Sequence, residues 1–444
     1  MKSETIIYLR TSVFKDISDP QKIKAQLLSW AQQFREVAFL DSNNYPQHYS
    51  NVDCMLAVDA LTSVKTDYPN AFEDLKQYQQ TTKEWLFGYL SYDLKNDIED
   101  LKSQNFDGLH FPDLYFFQPK KLFFLKGDQL EICYLNMCDD ELELDWEEIS
   151  GIRQKAEGVS EKAEGKSLEN LQIKQRISKD GYLAKVSKML GHIHRGDIYE
   201  ANFCMEFYAE HAMIDPFEKY QKLNTISQPP FAVFFKNYKQ FLISASPERY
   251  LRKEASKIIS QPIKGTAKRS SDPMEDEQIK NELFSNAKER SENIMIVDLV
   301  RNDLSHTAAK GSVTVEELCG AYSFKQVHHL VSTVVSELDP QYAATDVLKT
   351  TFPMGSMTGA PKVSAMQIIE NLEETKRGLY SGAVGYFAPN GDFDFNVVIR
   401  SILYNSQNQY LSFSVGSAIT SLSDPEMEYE ECLLKAKAMF EVLR

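Results

Sequence analysis

Apolar and polar residues alternate along the first 150 positions in short runs that favour β-strands. The runs VAFL, WLFGYLSY, LYFFQ, KLFFL and EICYL combine β-branched and aromatic residues and are separated by polar turns. They predict antiparallel strands. Residues 151–175 then contain many Glu and Lys and no aromatic residue, which is typical of an exposed connector. We therefore divide the chain into an N-terminal region (1–150), a connector (151–175) and a C-terminal region (176–444).

Three helix starts are recognisable in the C-terminal region. Ser178 can accept a hydrogen bond from a backbone amide at a helix start, and apolar residues then recur at 183, 186, 190 and 193. Gly196 predicts the end of that helix. The Asp-Pro pairs at 272–273 and 424–425 are typical of helix N-termini. The first begins a helical pattern that includes KERSENIMIVDLVRND, and the second begins a helix that runs to the end of the chain.

The remaining C-terminal runs favour strands. FAVFF, QFLISASPERYL and SKIISQPI are strand candidates, and GAVGYFAPNGDFDFNVVIRSILY predicts a hairpin that turns at Asn390-Gly391. The segment NSQN supplies a second turn into QYLSFSV. Strands and helices in blocks, joined by tight turns, predict an α+β fold rather than alternating βα units.

Composition narrows the possible functions. The 444 residues carry a formal charge of −15, which argues against nucleic acid or an anionic membrane as the main partner. A local group of cations or a metal could still bind an anionic small molecule. The six cysteines lack paired spacings and no long apolar run is present. We therefore expect a cytoplasmic protein with reduced thiols and no membrane span.

Two pairs of carboxylates have the spacing of neighbours on one helix face. Glu289 and Glu292 form the first pair, and Glu428 and Glu431 form the second. If the two faces met, their oxygen atoms would suit magnesium. The alternative is that both pairs lie on helix faces exposed to solvent.

A glycine-rich loop and a lysine are further candidates for chemistry. The loop GSMTGAPK (355–362) lacks the GxxxxGK[ST] pattern, which excludes a nucleotide-binding P-loop, but its backbone could still bind a carboxylate. Lys264 ends a strand-like run. Desolvation or nearby cations could lower its pKa and free the amine as a nucleophile. A capping loop and a solvated lysine remain the alternatives.

Single polar residues interrupt three apolar runs. Arg400 follows NVVI and could bind a carboxylate through two hydrogen bonds. Glu248 lies in SASPERY and His329 in KQVHHLVSTV. A structural ion pair for Arg400 or Glu248, and a hydrogen-bonded core histidine for His329, are the alternatives.

Taken together, the motifs of the C-terminal region resemble the chorismate-binding enzymes. This family includes anthranilate synthase, aminodeoxychorismate synthase, and the isochorismate and salicylate synthases. The resemblance covers about residues 178–444. It rests on GDIYEANF (196–203), SPERY (246–250), PIKGT (262–266), ENIMIVDLVRND (292–303), GSMTGAPK (355–362), GAVGYF (382–387) and DPEMEYEECLLKAKA (424–438).

The resemblance implies a fold and a set of roles. The implied fold is a sandwich of two large antiparallel sheets flanked by helices, to which both halves of the chain contribute. Glu292 and Glu431 would coordinate magnesium, with Glu289 and Glu428 in the same cage, and the metal would hold the ring carboxylate of chorismate. The other implied positions are Tyr380, Arg400 and the amides around Gly416 at the enolpyruvyl carboxylate, His329 and Ser356 near the ring, and Lys362 supporting the acidic site.

Lys264 is the residue that distinguishes branches of the family. Anthranilate synthases resemble PIAGT here, whereas the aminodeoxychorismate branch resembles PIKGT, as in this chain. The resemblance implies that Lys264 attacks ring C2 while Glu248, as general acid, assists departure of the C4 hydroxyl. Ammonia would then attack C4 and expel the lysine, giving 4-amino-4-deoxychorismate for folate synthesis. We find no glutaminase segment, so ammonia would come from solution or from a separate glutamine amidotransferase subunit.

One departure from the family pattern leaves alternatives open. The strand before the last helix usually resembles GGGIV or GAGIV, but here it is GSAIT (416–420). Ser417 and Ala418 could crowd the site. A catalytically inactive regulatory paralogue is therefore one alternative, and anthranilate synthase component I is another. Isochorismate and salicylate synthases lack a lysine at position 264 by resemblance.

Overall fold

A computed structural model describes residues 9–46, 48–49, 52–151, 171–325 and 327–444. The helices found there are α1 (Pro20–Ala31), α2 (Ala71–Thr82), α3 (Lys95–Ile98), α4 (Leu142–Ser150), α5 (Lys179–Arg195), α6 (Pro216–Ser227), α7 (Pro273–Ser285), α8 (Ala287–Ser305), α9 (Ala344–Thr351), α10 (Lys362–Leu372) and α11 (Pro425–Leu443). Within these ranges, no helix is long and apolar enough to cross a membrane.

The strands in these ranges pair antiparallel throughout. They are β1 (Arg10–Asp16), β2 (Glu36–Asp41), β3 (Cys54–Thr66), β4 (Leu86–Leu90), β5 (Leu114–Lys126), β6 (Gln129–Leu135), β7 (Lys174–Gln175), β8 (Glu200–Ala209), β9 (Phe231–Asn237), β10 (Gln240–Ser246), β11 (Arg249–Glu254), β12 (Lys257–Gln261), β13 (Ile263–Lys268), β14 (Thr314–Ser323), β15 (Val327–Glu337), β16 (Gly359–Ala360), β17 (Ala383–Phe387), β18 (Phe393–Val397), β19 (Ser401–Asn405) and β20 (Tyr410–Thr420).

Strands β3 and β5 join the sheet into one hydrogen-bonded network with two arms. From β3 the first arm continues through β2, β9, β10, β19 and β20 to β8. From β5 the second arm continues through β4, β17, β18, β11 and β12 to β15, which pairs with β13 and β14. The predicted α+β class, with an antiparallel sheet flanked by helices, is confirmed.

The two arms pack face to face across a shared core. Tyr89 of β4 contacts Phe235 of β9 edge to face, with ring centroids 5.5 Å apart. A second core lies on the other side of the first arm, where helices α1, α5 and α11 cover it. Leu27, Val186 and Met439 bring apolar side chains from these helices into this core. The arms are therefore held by one core between them and one beneath the helices.

Local sequence signals place the helix ends as expected. The Ser178 side chain accepts a hydrogen bond from the Gly181 amide at the start of α5, and Gly196 ends that helix with a φ of 85°. Both Asp-Pro pairs begin helices, α7 and α11. The long helical pattern after residue 272 is interrupted at Asn286, whose side chain caps α8.

Strands from both sides of the predicted connector pair with each other. Strand β2 pairs with β9, and β4 pairs with β17. Most of the connector predicted at 151–175 falls on residues 152–170, which lie outside the described residues. The division into two regions stays a prediction.

The buried ion pair between Glu373 and Arg377 connects three separate segments. The Arg377 guanidinium donates to both carboxylate oxygens of Glu373, at 2.7 and 2.9 Å. It also donates to the carbonyl oxygens of Met357 and Asn202, at 2.6 and 2.8 Å. Glu373 accepts from the Cys204 amide as well. This pair therefore fixes the GSMTGAPK loop against β8.

We predict that Arg377→Met lowers the free energy of unfolding by about 3–5 kcal/mol, because it leaves the Glu373 carboxylate buried without a cation. Arg301→Met is the control, since the ion pair of Arg301 with Asp298 is exposed. Urea unfolding of both variants tests this prediction. Equal losses in the two variants would contradict it.

Candidate active site

Eleven of the twelve predicted site residues line one cavity of about 630 Å³. The cavity lies where the ends of both arms, at β8, β20, β13 and β15, meet helices α8 and α11. The lining residues that the sequence predicted are Glu248, Lys264, Glu289, Glu292, His329, Ser356, Tyr380, Arg400, Gly416, Glu428 and Glu431. The tertiary structure thus brings together residues that span more than 180 positions of sequence.

The charge of the cavity differs from that of the whole chain. Its lining contains eight Lys or Arg side chains and six Glu side chains, although the chain carries a formal charge of −15. Low-dielectric walls strengthen the field of these cations. An anionic small molecule is therefore compatible with this site.

The ammonium group of Lys264 forms a buried ion pair with Glu200. The Lys264 ammonium donates to Glu200 Oε1 at 2.8 Å, and only 10% of the lysine side chain is exposed. Burial acts to lower the pKa of Lys264, but Glu200, Glu292 and Glu248 outweigh it and leave the pKa above its ordinary value. The expectation of a lowered pKa is therefore wrong for the protein without ligands, because carboxylates rather than cations surround the amine.

Glu248 and Ser356 form the wall next to Lys264. Burial raises the pKa of Glu248 to about 7, although the Ser356 hydroxyl and the charge of Lys264 act against this rise. A carboxyl group with this pKa is partly protonated at neutral pH. Glu248 can therefore donate a proton, as a general acid must.

His329 presents an unprotonated ring nitrogen to the site. Its Nδ1 lies 3.2 Å from the Gly265 carbonyl oxygen and 3.0 Å from the Thr266 hydroxyl. Burial, helped by Arg400, lowers the pKa of His329 to about 3, so the ring is neutral. The carbonyl can only accept, which places the proton on Nδ1. Nε2 has no partner in the described part of the chain and is free to accept a hydrogen bond.

Arg400 is held in a backbone conformation that few side chains adopt. Its φ is 53°, in the left-handed region, and such strain is often found at binding sites. No carboxylate of the described residues lies within ion-pair distance of its guanidinium, although Tyr380 and Glu431 stabilise its charge. A half-buried guanidinium without a carboxylate partner suits a ligand carboxylate.

Gly416 of β20 lies opposite Cys204 of β8. A Cβ at this position would come within 2.6 Å of Asn202 Oδ1 and Cys204 Sγ, so only glycine fits. The Gly416 carbonyl accepts a hydrogen bond from the Lys435 ammonium at 2.8 Å. Of the two residues that replace family glycines, Ala418 lines the cavity.

Ser417 points away from the cavity. It is fully buried, and its hydroxyl lies 3.1 Å from the Tyr182 hydroxyl in the core beneath α5. This position follows from the alternation of side chains along β20. Ser417 therefore does not line the cavity, although its hydroxyl acts against the rise that burial causes in the pKa of Glu428 in the proposed cage.

The four glutamates of the predicted magnesium cage face the cavity from α8 and α11. Burial raises the pKa of Glu289, and Glu431 and Glu428 raise it further. Burial raises the pKa of Glu292 to about 7, with a contribution from Glu289. These carboxylates repel one another, and a divalent cation would relieve that repulsion.

The geometry of the cage is open in the protein without ligands. No group of three or more His, Cys, Asp or Glu side chains within the described ranges converges closely enough to hold a metal. Burial acts to raise the pKa of Glu431, but Lys435 at 2.6 Å and other lysines hold it below its ordinary value. The oxygen-only donor set fits magnesium by its chemistry, and magnesium binding stays a prediction.

Lys362 is placed away from the cavity lining. Its ammonium donates to Asp303 at 2.6 Å and to the Thr351 carbonyl oxygen at 3.0 Å. Burial raises the pKa of Asp303, and the charge of Lys362 acts against this rise and stabilises the carboxylate. Lys362, which the resemblance places as a support of the acidic site, thus forms a structural ion pair with Asp303 and does not line the cavity.

Two residues that touch the predicted site residues were not singled out from the sequence. Glu200 pairs with Lys264, and Lys435 pairs with both Glu431 and the Gly416 carbonyl. Lys435 stands four positions after Glu431 on a predicted helix, which is a signal for an ion pair. Glu200 lies within the GDIYEANF motif, but no local pattern indicates that its partner is Lys264.

A family model described as chorismate binding enzyme matches residues 27–441. The chain belongs to the chorismate-binding enzyme family. It is 34% identical to an aminodeoxychorismate synthase component 1 of Bacillus subtilis over 79% of this chain and 75% of that protein. It is also 34% identical to an anthranilate synthase component I-like protein of Synechocystis over 81% of this chain and 72% of that protein.

Solved structures agree with the fold of this chorismate-binding enzyme. An anthranilate synthase component I from Streptococcus pneumoniae superposes with a TM-score of 0.75 and 25% identity, covering 90% of this chain and 95% of that one. The antiparallel sheet with flanking helices is therefore shared with a known member of the family.

For this enzyme we predict that Glu248→Gln increases stability relative to the wild type, and that the increase grows by about 2–3 kcal/mol between pH 5 and pH 8. The pKa of Glu248 is about 7 in the folded protein and near 4.5 when exposed. The stability that this carboxyl group contributes is thus lost as pH rises through 7, whereas glutamine stays neutral.

Urea unfolding at both pH values, without added metal, measures the effect. Glu282→Gln on the exposed surface of α7 is the control and should show no such pH dependence. If the difference in the free energy of unfolding between Glu248→Gln and the wild type does not change with pH, the pKa of Glu248 is not raised in the folded protein.

Proposed function

We propose that this chain acts as component I of an aminodeoxychorismate synthase, converting chorismate and ammonia to 4-amino-4-deoxychorismate. The observation that carries the proposal is the position of Lys264. Its amine lies in the cavity, with Glu248, whose pKa is about 7, in the same wall. A nucleophile and an acid are thus available for one displacement.

The cavity offers two places for the two carboxylates of chorismate. Arg400, with Tyr380, would bind the enolpyruvyl carboxylate through its unpaired guanidinium. Glu289, Glu292, Glu428 and Glu431 would hold magnesium beside the ring carboxylate. When bound, magnesium withdraws negative charge from that carboxylate as a Lewis acid.

The displacement proceeds in two steps. The Lys264 amine forms a bond to ring C2, the two ring double bonds each shift by one position, and the C4–O bond breaks. Glu248 supplies the proton with which the hydroxyl leaves as water. Ammonia then bonds to C4, the double bonds shift back, and the C2–N bond to Lys264 breaks.

The comparisons support this branch but also contain its rival. An aminodeoxychorismate synthase component 1 and an anthranilate synthase component I-like protein are equally identical to the chain. Lys264 favours the first, because an alkyl amine within the site provides the covalent route to C4. A glutamine amidotransferase subunit is the proposed source of ammonia, in agreement with the component naming of the relative.

We predict that the purified chain forms 4-amino-4-deoxychorismate from chorismate, magnesium and ammonium salt, and that Lys264→Ala lowers the rate at least a hundredfold. Chromatography with mass detection identifies the product. Lys253→Ala is a matched control, because Lys253 also pairs with a carboxylate, Asp392, but lies away from the cavity.

Other products decide between the alternatives. Fluorescent anthranilate would assign the chain to the anthranilate synthase branch and remove the argument from Lys264. No consumption of chorismate, even with an amidotransferase subunit added, would favour the inactive paralogue. Full activity of Lys264→Ala would refute the covalent route alone.

We predict that Glu292→Gln and Glu431→Gln each weaken magnesium binding about tenfold or more, since each removes a charged oxygen donor. Isothermal titration calorimetry without chorismate measures this directly. Glu441→Gln is the control, because Glu441 lines the cavity outside the proposed cage. Unchanged affinity in the cage variants would place the metal elsewhere.

A further inference from the structure

Glu200 is a buried carboxylate that the proposed mechanism does not yet use. Its side chain is 1% exposed, and its Oε1 accepts the hydrogen bond from Lys264. The other oxygen, Oε2, has no partner among the described residues. A buried carboxylate oxygen without a hydrogen bond is unfavourable, so it is rarely found without a functional reason.

Glu200 is the ion-pair partner of Lys264. Within the described ranges, its ammonium pairs within 4.0 Å only with Glu200. Other charged or titratable groups face it across the cavity from the neighbouring elements. These are Glu248 after β10, Glu289 and Glu292 on α8, His329 on β15 and Glu431 on α11.

The proposed function requires Lys264 to react as a neutral amine. An ammonium has no lone pair and cannot attack C2, so a proton must leave the nitrogen first. Glu248 cannot take that proton, because it must itself be protonated to assist departure of the hydroxyl. The site therefore needs a second group beside the amine.

We propose that Glu200 is the base that takes the proton of Lys264 and returns it when the lysine is released. This inference rests on the proposed function. Transfer along the 2.8 Å hydrogen bond turns a buried ion pair into a neutral pair, which a site closed to water tolerates better.

The proton balance closes over one turnover. The Lys264 ammonium gives a proton to Glu200, and the amine bonds to C2 while Glu248 protonates the departing hydroxyl. Ammonia then attacks C4, the lysine leaves as a neutral amine, and Glu200 returns its proton to it. The new ammonium on C4 gives one proton back to Glu248, so chorismate and ammonia yield the amine and water.

A variant that lacks the Glu200 carboxylate should respond to pH differently from the wild type. With Glu200 as base, the proton of Lys264 stays in the site during the reaction. In Glu200→Gln the amide cannot take that proton, so it must be lost to solvent before attack. The transition state of the variant therefore contains one proton fewer than that of the wild type, and the variant gains up to about tenfold relative to the wild type for each unit of pH at which its Lys264 is still protonated.

The experiment compares kcat/KM for chorismate in the two proteins from pH 6 to pH 8, with saturating magnesium and ammonium. The fraction of free ammonia changes with pH, but it cancels in the ratio. We expect Glu200→Gln to be about a hundredfold or more slower at pH 7. We expect the ratio of wild type to variant to fall as pH rises from 6 to 8, by up to about a hundredfold.

Two further variants separate proton transfer from structure. Glu206→Gln is the matched control, because Glu206 lies on the same strand, is buried and pairs with Arg176 at 2.9 Å. The ratio of kcat/KM between the wild type and Glu206→Gln should not change with pH. Glu200→Asp keeps a carboxylate, so it should be slower than the wild type by a factor that is constant with pH.

Each result has a distinct meaning. One result is that the ratio of kcat/KM between the wild type and Glu200→Gln, whatever its size, does not fall in any part of the range from pH 6 to pH 8. That result would show a positioning role only, and it would overturn the inference while leaving the proposed function intact. If Glu200→Gln does not fold, a pH-dependent ratio for Glu200→Asp overturns it equally. If the wild type makes anthranilate or nothing, the proposed function fails and the inference fails with it.

Discussion

The ion pair between Lys264 and Glu200 joins the two arms of the sheet at the cavity. Lys264 lies on β13 in one arm, and Glu200 lies on β8 in the other. A buried pair of this kind is costly to desolvate and is stable only where both partners are held in place. The architecture supplies this constraint, because the arms are packed on a common core and β8 is tied to the GSMTGAPK loop through Arg377.

Several polar groups at this cavity have no hydrogen-bond or ion-pair partner among the described residues. Nε2 of His329 in the cavity lining, and Oε2 of Glu200 beside Lys264, have no hydrogen-bond partner in the described part of the chain. The guanidinium of Arg400, which also lines the cavity, has no carboxylate of the described residues at ion-pair distance. Two buried ion pairs support the site, Lys362 with Asp303 and Glu373 with Arg377. The supporting residues thus have partners, whereas polar groups that face the cavity do not. Such a site is preorganised for a ligand that supplies the missing hydrogen bonds.

The opposing pKa shifts in the cavity follow from neighbours rather than from burial alone. Burial is the largest influence on Lys264, Glu248, Glu292 and His329, yet the pKa of Lys264 rises because three carboxylates surround it. Two carboxyl groups with pKa values near 7 and a neutral histidine give the site proton donors and acceptors at neutral pH. The protonation states are thus set by which charges the fold brings together.

The sequence by itself determined many of the elements and most of the proposed site residues. Periodicity, Ser178, Gly196 and the Asp-Pro pairs gave helix ends that the structure confirms, because such signals act within a few residues of chain. The motifs predicted eleven residues that do share one cavity. Contacts between distant segments were decided only by the tertiary structure. The partner of Lys264, the burial of Ser417 away from the cavity and the pairing of Lys362 with Asp303 depend on which strands and helices meet, and that is fixed by packing of the whole chain rather than by any local pattern.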